Sequence, residues 1–320
     1  MLRRVVRAPS ASVIAATLAL VIVIGILRPT YLETSQILDV LQASTYVGLL
    51  AAGMAFLISM REIDLSVGSQ FGLCLIAVAE LISHGYNTWV AAGAGIVLGG
   101  ILGAVNALIV TYVRIPTIVA TLATLSVFRG LAIAIADGNQ VAGLPVTDSF
   151  FDIVGGKVFG IPFSVIVLAV VVIAVGIILH HTPFGYRVLG IGSNPDAAEF
   201  AGISIARVRT QVLILVGLLA GIAAVLGLAF FTSGDPNIGG GFELEAIAAA
   251  VIGGTPLRGG SGTVLGAAVG AILLNVVATG LSYFNVPANW SAFATGVAIL
   301  IAVGIDSLAR RRRTTLQERQ

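Results

Sequence analysis

Lysine is nearly missing from this chain. Its one occurrence, Lys157, is followed by Val158, so no Gly-x-x-x-x-Gly-Lys-Ser/Thr loop exists to cradle a nucleotide phosphate. Charged residues of all kinds make up only 10% of the sequence, well below what the surface of a water-soluble domain carries. The single cysteine, Cys74, excludes an intrachain disulfide and leaves no thiol cluster for a metal. His-Glu-x-x-His and Gly-x-Ser-x-Gly are absent too, and His84, His180 and His181 stand at the ends of apolar runs, where interfacial positions suit them. No nucleophile–base pair or metal set remains on which to build an enzyme, and no cofactor is expected on the chain. Aromatic residues contribute 7%, which disfavours a site that works by stacking on nucleobases.

What the chain has instead is apolar length: 58% of its residues are hydrophobic and its mean hydropathy is +1.05. Hydrocarbon about 30 Å thick needs about 20 helical residues, and the sequence divides into ten such segments: 12–27, 37–60, 65–83, 89–113, 117–136, 162–179, 211–231, 243–257, 262–283 and 288–305. The expected fold class is an all-α membrane protein, one transmembrane domain over 1–320 lying in the lipid bilayer. With both ends in the cytoplasm, 14 of the 17 basic residues fall inside and only Arg28, Arg129 and Lys157 outside, as the positive-inside rule requires. Removing one span would invert every later loop and spoil that asymmetry. The net charge of +2 therefore reflects topology and gives no ground for a nucleic-acid partner. Arg310–Arg313, in a basic tail at about 307–320, reads as an anchor for the last span. Met1–Gly25 resembles a secretory signal but lacks a small-residue cleavage site, and is expected as a retained first helix. Carboxylates are nearly absent deep within the spans, whereas ion-coupled carriers place them there. A neutral polar solute, with the energy source on another chain, fits this composition better than an ion-coupled secondary carrier.

The order of features in segments 65–83, 89–113 and 117–136 recurs in the last three segments. Ile63-Asp64-Leu65 corresponds to Phe242-Glu243-Leu244, the glycine row Gly95, Gly99 and Gly103 to Gly262, Gly266 and Gly270, and Ile115-Pro116 to Val286-Pro287. Two halves of five helices each insert with opposite orientation, giving the inverted repeat common in transporters. Glycines spaced by four residues leave one helix face smooth for close packing. Asn106 and Asn275 lie near these strips, and each either bonds a neighbouring helix or lines a polar route. Asp64, Ser66, Glu243 and Glu245 open helices, where a carboxylate or hydroxyl caps the first turn or serves the transport path or a docking partner. Segment 243–257 is short for a full crossing and runs into Gly253-Gly-Thr-Pro-Leu-Arg-Gly-Gly-Ser-Gly262. Interrupted apolar segments of this kind point to a translocation path.

One polar island, His180–Thr210, separates the long apolar stretches. Within it Asn194 is a helix cap, Pro195 suits the first position, Asp196 and Glu199 favour the positive N-terminal end, and Gly202 is a natural stop after Ala197 and Ala198. The spacing predicts an isolated helix of about two turns in a cytoplasmic loop at about 180–210. That is too short to be stable alone in water, so a partner is expected to receive it.

Five strings, taken in order, carry a resemblance over about residues 36–306: Ile63-Asp-Leu-Ser-Val-Gly-Ser69; Ile115-Pro-Thr-Ile-Val-Ala-Thr-Leu122 with Arg129-Gly130; Thr182-Pro-Phe-Gly185; Gly192-Ser-Asn-Pro-Asp-Ala-Ala198; and Phe242-Glu-Leu-Glu-Ala-Ile-Ala-Ala-Ala-Val-Ile-Gly-Gly254 continuing to Gly259-Gly-Ser-Gly262. The chain resembles the permease subunits of ATP-binding-cassette importers for monosaccharides, the ribose/xylose/arabinose/galactose permease family. The resemblance implies a dimer with a second permease copy or homologue, an ATP-binding-cassette ATPase subunit on the cytoplasmic side, and a periplasmic or extracellular sugar-binding protein outside. It also implies that Asn194–Gly202 is the helix that couples the permease to the ATPase. Arg61-Glu62 stands where Gly-Gly is usual and Ala107 where Gly is common; with Val286-Pro-Ala-Asn-Trp290, these departures resemble the branch serving rhamnose and autoinducer-2. Permeases for branched-chain amino acids or nucleosides share the architecture and stay open as alternatives.

Overall fold

A computed structural model describes residues 9–287 and, beyond them, 290, 293, 296, 297 and 300. Apart from those single positions, the expected tenth span and the basic tail lie outside the described residues. The helices in order are α1 (Pro9–Leu27), α2 (Thr34–Ser59), α3 (Val67–Ser83), α4 (Thr88–Leu108), α5 (Thr117–Ile135), α6 (Ser149–Val154), α7 (Phe163–His181), α8 (Pro183–Ser193), α9 (Pro195–Phe200), α10 (Ile205–Phe231), α11 (Phe242–Ile252) and α12 (Val264–Tyr283). Six of them, α2, α4 with its extension to Val113, α5, α7, α10 and α12, are long and apolar enough to cross a membrane; α1 and α3 are shorter apolar helices. The architecture is all-helical, and apart from one two-residue hairpin the described chain forms no sheet.

Burial sorts these helices into a centre and a periphery. The most apolar stretch of α2 is 89% buried and that of α10 78%, against 33% for α4 and 28% for both α5 and α7. Helix α2 packs against α7, α10, α11 and α12, and α10 packs against α2, α3 and α4. The outward faces of the peripheral helices carry Val97 and Ile101, Ile118 and Leu122, and Ile173 and Ile177, all exposed. In water such faces would aggregate; in a bilayer, lipid or a partner helix covers them. Exposed Tyr86 and Trp89 mark one end of α4 and exposed Tyr112 the other, the girdle positions that amphipathic rings prefer.

Helix ends follow local chemistry. Asn87 caps α4 by accepting from Trp89 N (3.0 Å) and Val90 N (3.2 Å). The helix does not run unbroken to 113: after Leu108 it widens into a π-turn over Ile109–Val113 and stops at Arg114, whose backbone is left-handed (φ 61°). Asp148 caps α6 through Phe150 N (3.0 Å) and accepts from the Thr88 hydroxyl (3.0 Å), tying the 137–160 segment to α4. The Phe150 N–H, with the Thr88 hydroxyl, holds its carboxyl below the usual carboxylate range. A hairpin pairs Lys157–Val158 with Ile161–Pro162 through Phe159 (φ 51°) and Gly160 (φ 81°).

The two glycine rows lie at helix crossings. A Cβ on Gly99 would strike the Gly217 carbonyl of α10, and one on Gly217 would strike the Gly99 carbonyl. Gly95 faces Val78 and Gly103 faces the Leu213 carbonyl. Gly270 abuts the backbone of α11 at Ala249 and Gly266 the residue that closes that helix, Gly253, whereas Gly262 precedes α12 and meets the Ser59 hydroxyl.

Candidate functional site

The polar island is more ordered than its composition suggests. Helix α7 continues to His181, and Thr182 then caps α8 by accepting from Gly185 N (3.2 Å), with Pro183 in the first turn. Helix α8 lays Val188 and Ile191 against the core. The short helix α9 follows at once, so it is not the isolated helix expected; it is the exposed tip of a two-helix arm. Asn194 accepts from Ala197 N (3.1 Å) at its start. At its end Ile203 N donates to Ala198 O (3.0 Å) and Gly202 N to Glu199 O (2.9 Å), the paired bonds of a Schellman stop. Gly202 supplies the left-handed residue (φ 81°) that this stop requires. Ala198 is buried, whereas Asp196, Ala197 and Glu199 face outward and Phe200 is 94% exposed. Arg187 and Arg207 flank a cavity of about 280 Å³ beside Gly202. The tip thus presents two carboxylates and a phenyl ring on a short helix, with two arginines lining the adjacent cavity.

The arm is fastened to the turn between α2 and α3. Gly192 lies so near the end of α2 that a Cβ there would strike Ser59 O. Arg61 donates from Nε to Gly192 O (2.6 Å) and from Nη2 to Ser193 O (2.8 Å). The next residue, Glu62, accepts from Arg209 Nε of α10 and from the Thr117 hydroxyl of α5 (2.6 Å).

Two residues further on, Asp64 is fully buried. Instead of capping the first turn of α3, it accepts four hydrogen bonds. Ser66 N (2.7 Å) and Ser66 Oγ (2.6 Å) reach Oδ1; Gln70 Nε2 (3.0 Å) and Asn106 Nδ2 (3.2 Å) reach Oδ2. Both amides also donate to Ser66 Oγ, at 2.9 and 2.8 Å, and Leu65 N donates to Thr121 Oγ1 (3.1 Å). A buried carboxylate without a cationic partner persists only when donors surround it, and here the donors come from Ser66 just before α3, from Gln70 on α3 and from Asn106 on α4. Asp64→Leu would strip one of two acceptors from each of two buried amides, leaving them the Ser66 hydroxyl; we expect a loss of about 1–3 kcal/mol for each donor left unpaired, read as a lower unfolding temperature in detergent. A loss under about 1 kcal/mol, the worth of one ordinary hydrogen bond, would show that the network does not anchor α3.

At the opposite end of α10 the chain turns back along α3 before α11 begins. Gly234 meets Ala79 and Ile76, and Gly239 meets Phe71 and Gly68, so an irregular strand of backbone follows about three turns of α3. Such backbone is tolerated at membrane depth only inside protein or along a polar cavity. Arg129 of α5 satisfies part of it, donating to Pro236 O (2.6 Å) and Ile238 O (3.1 Å). Glu243 and Glu245 lie in the first turn of α11 after Gly241. Glu243 Oε2 is buried against Gly68 with no hydrogen-bond partner among the described residues. Helix α11 ends at Ile252, so Gly253–Gly262 is loop and not the end of a span. Asn275, half-buried on α12, takes no part in the Asp64 hydrogen bonds and makes no side-chain hydrogen bond among the described residues. Gln70, Arg61, Glu62 and Arg209 join the candidate residues only through the fold, although the Ser66–Gln70 spacing of one helical turn is visible in the sequence.

Comparison with known proteins points to membrane permeases. The family described as branched-chain amino acid transport system / permease component matches residues 36–303. The chain is 38% identical over 287 residues to the ribose import permease protein RbsC of Bacillus subtilis (strain 168), covering 90% of this chain and 89% of the relative. It is 36% identical over 304 residues to the autoinducer 2 import system permease protein LsrC of Klebsiella pneumoniae, covering 93% and 88%. It is 32% identical over 305 residues to the L-arabinose ABC transporter permease protein AraH of Azospirillum brasilense, covering 95% and 88%. No solved structure matches the chain. With a match through most of its length and with relatives covered almost end to end, the chain belongs to the branched-chain amino acid transport system / permease component family.

Proposed function

We propose that this chain is the membrane-spanning permease subunit of an ATP-driven, binding-protein-dependent importer of a monosaccharide. The observation that carries the reading is the arm α8–α9, whose exposed tip of Asp196, Glu199 and Phe200 projects from a protein with no phosphate-binding loop of its own. A short helix with little to stabilise it alone is a surface made for a partner, and an ATPase subunit on the cytoplasmic side is the partner that an import permease needs. Relatives named as permeases for ribose and L-arabinose support a sugar as cargo. The relative named for autoinducer 2 supports that solute as a second reading. The remaining partners are an external sugar-binding protein and a second permease, identical or homologous, with both termini in the cytoplasm of a cell whose inner membrane holds the complex.

Two inverted five-helix halves are part of this proposal. Exchanged packing supports them: α4 of the first half lies on α10 of the second, and α12 of the second lies on α2 of the first; likewise α3 packs on α10 and α11 on α2. The irregular backbone before α11, with Glu243 beside Gly68, is the place we assign to the solute route, because interrupted segments at repeat interfaces line such routes. The Asn194–Gly202 helix is assigned to ATPase coupling and the glycine rows to helix packing.

The test is uptake of a labelled panel (ribose, xylose, arabinose, galactose, rhamnose, autoinducer 2 and leucine) into proteoliposomes holding this chain with its ATPase and binding protein, ATP inside and ion gradients collapsed. We expect uptake of one sugar that requires all three components. Uptake of leucine instead would move the cargo to amino acids. Uptake by this chain alone, driven by a restored ion gradient, would overturn the reading in favour of a secondary carrier.

A further inference from the structure

Both flanks of the exposed tip converge on two adjacent residues in the α2–α3 turn. Arg61 holds Gly192 O and Ser193 O, directly before the Asn194 cap; Glu62 holds Arg209, in the second turn of the helix that follows α9. From this structure we infer that Arg61 and Glu62 are positioning residues that transmit displacement of the α9 tip to α3, α4 and α5. The inference rests on the coupling role proposed for α9.

The route is short and made of bonds. Glu62 also accepts from Thr117 at the start of α5 (2.6 Å), Leu65 N reaches Thr121 on the same helix (3.1 Å), and Asp64 gathers Ser66, Gln70 and Asn106. Arg61 to Leu65 spans four peptide units, at most about 14 Å of chain. A shift of the arm therefore reaches three helices without crossing a compressible layer of side chains. Two features distinguish this turn from a passive staple. Arg61 sits in the left-handed region (φ 65°), which a residue with a long side chain occupies only when its surroundings hold it there, as happens at switch segments. Arg209 also borders a cavity of about 350 Å³ lined by Thr111, Arg114 and Ala206, so its side chain has space on one side into which it can move.

The consequence is a coupling term in the ratio of solute moved to ATP hydrolysed. In proteoliposomes of the full complex, importing the panel solute that the wild type accepts, Glu62→Gln and Arg209→Gln are each expected to lower solute imported per ATP about tenfold, within the usual span of coupling between linked sites. The double variant should fall no further than either single one. Misfolding lowers uptake and hydrolysis together and leaves that ratio unchanged, so the ratio isolates transmission. Wild-type ratios in both single variants, or a double variant whose losses multiply, would overturn the inference. Where the glutamine variants do not assemble, Arg209→Lys keeps the charge without the guanidinium geometry and carries the same expectation, and an unchanged ratio there overturns it too. A wild-type complex that imports nothing with ATP would instead overturn the importer reading itself.

Discussion

Gly192→Ala is expected to destabilise the detergent-solubilised protein by at least about 4 kcal/mol, whereas Gly190→Ala, two residues earlier on the same helix, stabilises it by about 0.5–1 kcal/mol. The opposite signs follow from surroundings alone. Around Gly190 nothing lies within 4 Å of a would-be Cβ, so alanine only removes the conformational freedom that glycine loses on folding. Around Gly192 the added carbon meets Ser59 O, with Gly260 N at 2.6 Å and Ser59 C at 2.8 Å. All three are backbone atoms, which cannot rotate aside, and Gly260 N already donates to Ser59 O (2.9 Å). The methyl group must push α8 off the end of α2, breaking the two Arg61 bonds as it goes. Thermal unfolding of both variants against the wild type checks the pair. Equal stability of the two would show that the arm does not seat where the structure puts it.

Phe200→Asp is expected to weaken ATPase binding at least about thirtyfold, the factor that corresponds to loss of an interface anchor worth 2 kcal/mol, with membrane insertion and thermal stability unchanged. Phe200 touches almost nothing in the chain itself, being 94% exposed, so the folded permease has little to lose from the substitution. A partner groove that accepts a phenyl ring has much to lose when a carboxylate arrives there unpaired. Titration of the purified ATPase against permease in nanodiscs reads the effect directly. This probe is cleaner than a charge placed at Gly202, where φ is 81°; a side chain at that position strains the Schellman stop before it reaches any partner. Wild-type affinity in Phe200→Asp would remove the α9 tip from the interface.

The long apolar helices were legible because hydrocarbon thickness sets their length and little else is asked of them. Segments 211–231, 162–179 and 117–136 lie close to α10, α7 and α5, with α10 starting earlier, at Ile205. Helix α8 was not legible: Gly185, Gly190 and Gly192 lower its propensity, and the glycine that weakens it locally is the one that lets it dock. Its Thr182-Pro183 start was the available signal. The α9 helix could be read because caps are local chemistry, from Asn194 at one end to Gly202 at the other. Asp64 was visible as a residue before a helix, but its four donors arrive partly from α4, and no local rule joins positions 64 and 106. The Glu62–Arg209 pair spans 147 residues and belongs to the fold alone. Arg129, counted by charge as an external residue, sits within α5 and serves the carbonyls of a segment whose path depends on how α10 and α11 are joined.

Gly99 and Gly217 occupy each other's side-chain space across the α4–α10 crossing. The blocking atom on either side is a carbonyl oxygen, which every amino acid carries. A larger residue at one position therefore cannot be offset by a smaller one at the other, since glycine already stands at both. Most packing faults in a core leave a second-site route by which a lineage recovers; this contact leaves none, and both codons are held to glycine by geometry for as long as the two helices cross here.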